Sequence, residues 1–250
     1  MIIFDSHFHI IDKKFPLIRL NNYIPDEFMV DEYLKKTQKM NIQGGAIVAG
    51  SFQGFEQDYL ISALKLLGEN FVGITQIPLG TSDEEILKLN NAGVRGVRFN
   101  IEAGGSEKLE NLEKLALRIH DLCGWHVELH IKSSKITRVY DMLINLPSVS
   151  IDHLGYTKSG FDTLLKLVDK GIKVKASGFG RVDFDVKTAL KEIVSVNTGA
   201  LMFGTDLPST RAKRPFEIRD IDIIKETFEE NICTKIFYEN AVNHYRLKEL

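Results

Sequence analysis

The sequence predicts an α/β protein of one domain, a (β/α)8 barrel over residues 1–250, on three observations. Eight short runs with strand chemistry alternate with longer runs of helical period, and 250 residues is an ordinary length for such a barrel. The turn after the first strand, DSHFHIID, lacks the GxGxxG glycines that would open the competing doubly wound sheet.

The strands fall at 2–6, 44–50, 71–77, 94–100, 126–131, 149–154, 173–179 and 200–206. Between them lie helical segments such as 106–124, where Leu109, Leu112, Leu115, Ile119 and Leu122 recur at helical spacing. Gly68, Gly93, Gly124, Pro147 and Gly171 punctuate the ends of these segments. Ser82-Asp83-Glu84-Glu85 ahead of Ile86 reads as a capping box, in which the Ser82 hydroxyl and the Glu85 carboxylate satisfy backbone N–H groups. The first connection, residues 10–31 with Pro16 and Pro25, is long for a barrel and reads either as a lid or as a packing loop.

Composition narrows the partners. With 44% hydrophobic residues the chain can bury a sizeable core. A net charge of -2, from 32 basic and 34 acidic residues without a long one-sign block, gives no footprint for nucleic acid or an anionic membrane. A small molecule is the expected partner, for a monomer or homodimer. Cys123 and Cys233 are too few for a disulfide framework, which suits a reducing compartment, the cytoplasm by default. Neither a basic N-terminal segment followed by an apolar stretch nor a run of ~18 apolar residues occurs, so neither export nor membrane spanning is expected.

In a barrel of this kind the strand C-termini and the loops after them build the active site. His7 and His9 follow strand one, Arg98 comes late in strand four, His130 late in strand five and His153 late in strand six. Arg181 follows strand seven and Asp206 ends strand eight, so all fall on one rim. Residues two apart on a strand share a face, which groups Asp5 with His7 and His9, and Glu128 with His130. In strand eight Leu201 and Phe203 suit packing under helices, so Asp206 points into the barrel, and closure makes it a neighbour of His7 and His9. Two imidazoles and a carboxylate form a site for a divalent cation such as Zn2+, with His130 reaching across to complete the ligands. Each residue also has a plainer reading. The HxH pair is incidental on its own, His153 a hydrogen-bonded strand-end histidine, Asp206 a turn cap, Arg98 a partner for Glu128, and Arg181 and Arg211 solvated loop charges. His120 and His126 read as structural, and His244, near the C-terminus, has no place in a site.

In their order, DSHFH (5–9), GVRGVRFN (93–100), WHVELH (125–130), DHLG (152–155), ASGF (176–179), FGTDLPSTR (203–211) and YENAVNHYRL (238–247) resemble the amidohydrolase superfamily. The resemblance is to its amidohydrolase-2 group, which includes 2-pyrone-4,6-dicarboxylate lactonases and sugar-acid lactonases. It spans essentially the whole chain and implies a hydrolase that opens lactones or related esters and amides. On the matching motifs it implies His7 and His9 as the first-strand pair, His130 as the strand-five metal ligand and His153 beside the reacting carbonyl. It likewise implies Asp206 as the strand-eight base, and Arg98 and Arg181 as substrate-binding arginines.

Where the pyrone-dicarboxylate lactonases carry further arginines, this chain has NIEAGG (100–105) and Tyr156, so a less charged lactone, of a sugar acid or a mono-carboxylate, is expected. Tyr156 and Arg211 join Arg98 and Arg181 as substrate-binding candidates. Those lactonases work without a metal, whereas His130 favours one divalent ion here, zinc first. No lysine takes the strand-four position, so a lysine-bridged binuclear centre is not expected. Two rivals stand beside hydrolysis by activated water: metal-dependent decarboxylation of an unsaturated or aromatic acid, and non-catalytic binding of a small molecule.

Overall fold

A computed structural model describes residues 1–20 and 22–247. The strands are β1 Ile3–Phe8, β2 Ile42–Val48, β3 Phe71–Thr75, β4 Val94–Asn100, β5 His126–His130, β6 Val149–Ile151, β7 Lys173–Ala176 and β8 Leu201–Phe203. All pair parallel and in chain order, so the predicted (β/α)8 barrel is what forms. Around them run α1 Val30–Thr37, α2 Asp58–Leu67, α3 Asp83–Asn91, α4 Leu112–Cys123, α5 Ser133–Ile136, α6 Tyr140–Leu143, α7 Phe161–Asp169, α8 Val186–Val196, α9 Arg219–Thr227, α10 Glu230–Thr234 and α11 Asn240–Tyr245.

Strand alternation separates two apolar layers. Leu201 and Phe203 of β8, like Val97, Phe99, Val127 and Leu129 of β4 and β5, lie in the layer under the helices, as their parity predicts. The opposite face puts Phe4, Ala46, Val48, Val72, Ile74 and Met202 in a cluster inside the barrel. Tyr245 of α11 stacks on Phe4, ring centroids 5.4 Å apart, and stops the N-terminal end. Each fully buried side chain of this size contributes roughly 1.5–3 kcal/mol.

Several boundaries move from their predicted places. β6, β7 and β8 end at Ile151, Ala176 and Phe203, three residues before the sequence reading ends them. After β6 and β7 apolar residues, Leu154 and Phe179, continue past the point where the chain leaves the sheet to build loops. Six of the nine non-glycine residues described with positive φ lie after β6 and β8: His153, Leu154, Tyr156, Asp206, Ser209 and Arg211. Such backbone gathers at functional sites because surrounding structure must hold it there.

The helix expected over 106–124 starts at Leu112, because the Glu107 carboxylate accepts from the N–H groups of Leu79 at 2.6 Å and Lys108 at 2.7 Å and ties the preceding residues into a loop. At α3 only half of the capping box forms. The Ser82 hydroxyl accepts from the Glu85 N–H at 3.2 Å, while the Glu85 carboxylate turns to Lys88. The first connection, in which residue 21 lies outside the described residues, folds back as a bridge between Ile11 and Phe28. It lies along the β2 loop, the Ile18 N–H donating to the Phe52 carbonyl at 2.7 Å.

The seam between β8 and β1 positions the site. Asp5 pairs with Gly45 but Phe8 with Ile47, so β1 carries one residue more than β2 over this stretch, a bulge. The extra residue corrects the expected shared face of Asp5 and His7. Asp5 turns outward, where Tyr33 of α1 donates to its carboxylate at 3.1 Å, and His7 and His9 turn inward. The Ser6 hydroxyl donates to the Phe203 carbonyl at 2.6 Å, the Asp206 N–H to the His7 carbonyl at 2.6 Å, and the His9 N–H to the Leu207 carbonyl at 2.7 Å. Gly204 lies so close that a Cβ there would stand 2.7 Å from His7 Cβ and 2.8 Å from its nitrogen. Gly204→Ala is therefore expected to lower the unfolding free energy by about 1–3 kcal/mol, read as the urea midpoint. An unchanged midpoint would show that the seam yields freely.

Candidate active site

At the C-terminal ends of the strands opens a cavity of about 210 Å3, with His9, Arg98, His153, Arg181, Asp206 and Arg211 among its lining residues. The loop after β8 aims Asp206 inward at φ +59, and the loop after β6 does the same for His153 at φ +48. The Nε2 atoms of His7, His9 and His153 face one carboxylate oxygen, Asp206 Oδ1, at 4.0, 3.7 and 3.9 Å. Among the described residues, neither that oxygen nor His7 Nε2 has a hydrogen-bond partner, although both are buried. Buried polar atoms rarely stay unpaired without a functional reason.

The far side of each ring sets its orientation. His9 Nδ1 lies 2.7 Å from the Val48 carbonyl, an acceptor only, so Nδ1 carries the proton and Nε2 presents a lone pair. His7 Nδ1 lies 3.3 Å from Asp152 Oδ1 and 3.5 Å from Glu128 Oε1, and His153 Nδ1 lies 2.9 Å from the Ser177 hydroxyl. Burial lowers the imidazoles, His7 to about 3 and His153 well below its ordinary value, so both are neutral near pH 7. His7, His9 and Asp206 form one group that could hold a metal ion, and His7, Asp152 and His153 form another.

Beneath and beside these rings lies a buried charge network. Arg98 donates to Asp152 Oδ2 from Nη2 at 2.7 Å and from Nε at 3.1 Å, with Glu128 at 3.6 Å. Asp152, not Glu128, is thus its principal partner. Arg181 Nε donates to Asp206 Oδ2 at 2.6 Å, which leaves Oδ1 free. Lys175, in the middle of β7 and fully buried, donates to Glu128 and to the Ser6 carbonyl at 2.7 Å. Burial alone would raise the carboxyl of Asp206, but the Arg181 guanidinium on Oδ2 opposes it and holds the group well below the carboxylate range. Arg98 does the same for Asp152 against the same penalty.

The structure brings His7, His9, His153 and Asp206 together, with Arg181 behind the carboxylate. It does not bring His130 into either potential metal group. His130 meets the cluster edge-on, its ring centroid 5.2 Å from Tyr156 and 6.3 Å from His153, with no hydrogen-bond partner described at Nδ1. The Tyr156 hydroxyl is buried without a partner described, and burial pushes it well above its ordinary value. Arg211 lies at the rim, its Nη2 donating to the Ser51 hydroxyl at 3.2 Å. His126 and His244 meet at the opposite end with their rings tilted by 59°, centroids 4.2 Å apart, apart from the cavity.

Sequence reasoning gave no role to Asp152, Ser177 or Lys175. The available signal for Lys175 was its place in KVKAS, a cation set inside the strand between Val174 and Ala176. Removing one partner of a buried pair strands the other charge. Lys175→Met is expected to cost about 3–5 kcal/mol in urea unfolding. The Lys175→Met/Glu128→Gln double variant should lose less than the sum of the two single changes. Strict additivity would show that the pair is not coupled.

The family model described as Amidohydrolase matches residues 4–247. A 2-pyrone-4,6-dicarboxylate hydrolase of Comamonas testosteroni is 27% identical over 156 residues, 60% of this chain and 51% of that protein. The chain thus spans about half the length of that relative. A 4-sulfomuconolactone hydrolase of Hydrogenophaga intermedia is 27% identical over 227 residues, 82% of this chain and 74% of the relative. Among solved structures, a probable 2-pyrone-4,6-dicarboxylic acid hydrolase from Acinetobacter baumannii superposes with a TM-score of 0.87 at 23% identity, covering 99% of this chain and 100% of that one. One from Pseudomonas putida gives 0.82 at 23% identity, covering 100% and 99%. With the model matching nearly end to end, over the same strands that carry the histidines and Asp206, the chain belongs to the amidohydrolase family.

Proposed function

We propose that the chain hydrolyses the ring ester of a small lactone, of a sugar acid or a mono-carboxylate. The observation that carries this is Asp206 Oδ1, buried and unpaired among the described residues, ringed by three imidazole Nε2 atoms at the floor of the cavity. The names of the relatives, a pyrone-dicarboxylate hydrolase and a sulfomuconolactone hydrolase, support the same reaction class. The catalytic unit is residues 1–250, acting in the cytoplasm as a monomer or homodimer on a small molecule. The described residues of the 10–31 connection form a cover beside the mouth. No helix among the described residues is long and apolar enough to cross a membrane.

In the reaction, water beside Asp206 attacks the lactone carbonyl carbon while Oδ1 takes its proton. His153 and Arg98 face the cavity and stabilise the developing oxyanion. The ring C–O bond then breaks, and the proton passes from Asp206 to the departing alkoxide. Arg181 fixes Oδ2 so that Oδ1 stays aimed, and Tyr156 orients the ring.

The donor set fits a divalent cation, zinc first. His7 and His9 would hold it through Nε2 and Asp206 through Oδ1, an N/O set of the kind zinc accepts. When bound, such an ion lowers the pKa of water and polarises a carbonyl.

Asp206→Asn is expected to reduce kcat at least ~100-fold across a lactone panel, with an unchanged far-UV circular dichroism spectrum. Retained turnover would remove Asp206 from the role of base. After zinc loading and dialysis, elemental analysis should find about one equivalent of zinc, lost in His7→Ala. A metal-free, fully active enzyme overturns the ligand assignment and leaves the hydrolase reading standing.

A further inference from the structure

Three guanidinium groups line the cavity, and two of them end on carboxylates: Arg98 on Asp152 at 2.7 Å and Arg181 on Asp206 at 2.6 Å. Arg211 differs. No carboxylate oxygen among the described residues lies within 4.0 Å of it. Its contacts are neutral, the Ser51 hydroxyl at 3.2 Å and the Tyr23 ring, whose centroid is 4.8 Å from Cζ. Glu102, the other acid on the lining, is engaged by Lys135 at 3.0 Å and Lys132 at 3.9 Å. The cavity therefore presents one guanidinium without a carboxylate partner among the described residues, that of the solvent-exposed Arg211 at its rim.

Two features hold it there. The backbone of Arg211 sits at φ +59, a conformation that costs energy in a non-glycine residue and persists only when its surroundings impose it. The Tyr23 ring belongs to the first connection, and a ring face beneath a guanidinium restrains it without neutralising it. A planar fork so placed suits a carboxylate.

We propose that Arg211 is the receptor for a single carboxylate of the substrate and that Tyr23 is its positioning residue. The substrate class is then a monoanionic lactone, with its ring carbonyl towards Asp206 and its acid towards the rim. A cavity of about 210 Å3 restricts it to a small ring, since drug-sized ligands take ~300–1,000 Å3. The ring chemistry rests on the lactone-hydrolase reading, whereas the acid recognition does not.

The test separates the two. Tetrahydrofuran-2-carboxylate, a ring acid with no ester to cleave, is titrated calorimetrically into wild type, Arg211→Gln and Arg211→Lys. Saturable binding by wild type, weakened about 10- to 100-fold in Arg211→Gln and less in Arg211→Lys, is expected, since a hydrogen bond to a charged group is worth that factor. In turnover, the preference for 5-oxotetrahydrofuran-2-carboxylate over γ-butyrolactone should fall by a similar factor in Arg211→Gln, chiefly through KM. Tyr23→Leu should raise KM for the acid lactone several-fold and Tyr23→Phe should restore it, a split that a merely structural role would not produce. Failure of wild type to bind the ring acid, or an unchanged preference in Arg211→Gln, overturns the proposal. Arg211-dependent binding without turnover of either lactone upholds it and overturns the hydrolase reading instead.

Discussion

The Ser6 hydroxyl bonded to the Phe203 carbonyl, and the Asp206 N–H bonded to the His7 carbonyl, join segments about two hundred residues apart in sequence. The cost of closing so long a loop grows only slowly with length, and it is met once by the barrel as a whole. The bulge in β1 decides what this closure is worth chemically. Without the extra residue, strand alternation would put Asp5 and His7 on one face. With it, Asp5 becomes an outward anchor that accepts from the Thr205 N–H at 2.8 Å and hydroxyl at 2.7 Å, and His7 enters the barrel beside Asp206. A structural carboxylate and a candidate metal ligand are thus separated by two positions and by the thickness of the sheet.

The interior above the apolar plug is held by charge rather than by hydrophobic packing. Arg98, Lys175 and Arg181 stand against Asp152, Glu128 and Asp206, each essentially or largely buried and each paired. Buried pairs of this kind add little net stability, because desolvation offsets their attraction. Their effect lies in orientation. Asp152 and Glu128 fix the His7 ring, Arg181 fixes one oxygen of Asp206, and the remaining lone pairs point at a common gap. Hydrophobic side chains could fill the same space without imposing any such directions.

Much of this was legible in the sequence. Strand chemistry and period sufficed for eight parallel strands, and the parity of Leu201 and Phe203 sufficed to place the β8 loop next to His7 and His9. The errors have physical sources. A bulge adds one residue with no compositional mark, so the position of Asp5 could not be read from alternation. The strand ends at β6 and β7 were overrun because Leu154 and Phe179 are apolar residues in buried loops, and the end at β8 because Gly204, Thr205 and Asp206 stay buried after leaving the sheet. His130 matched a motif position, but whether a nitrogen or a ring edge meets its neighbours depends on the geometry around Tyr156 and His153. Lys175 and Asp152 act only through residues far away in the chain.

The plug formed by Phe4, Met202 and Tyr245 has a consequence for traffic through the molecule. It seals the barrel at one end, so the cavity is a vessel with a single opening. Whatever leaves must retrace the path by which its precursor entered, past Arg211 and Tyr23 at the rim. An occupant and its successor exclude one another, and a rim that recognises an acid will also detain an acid on its way out.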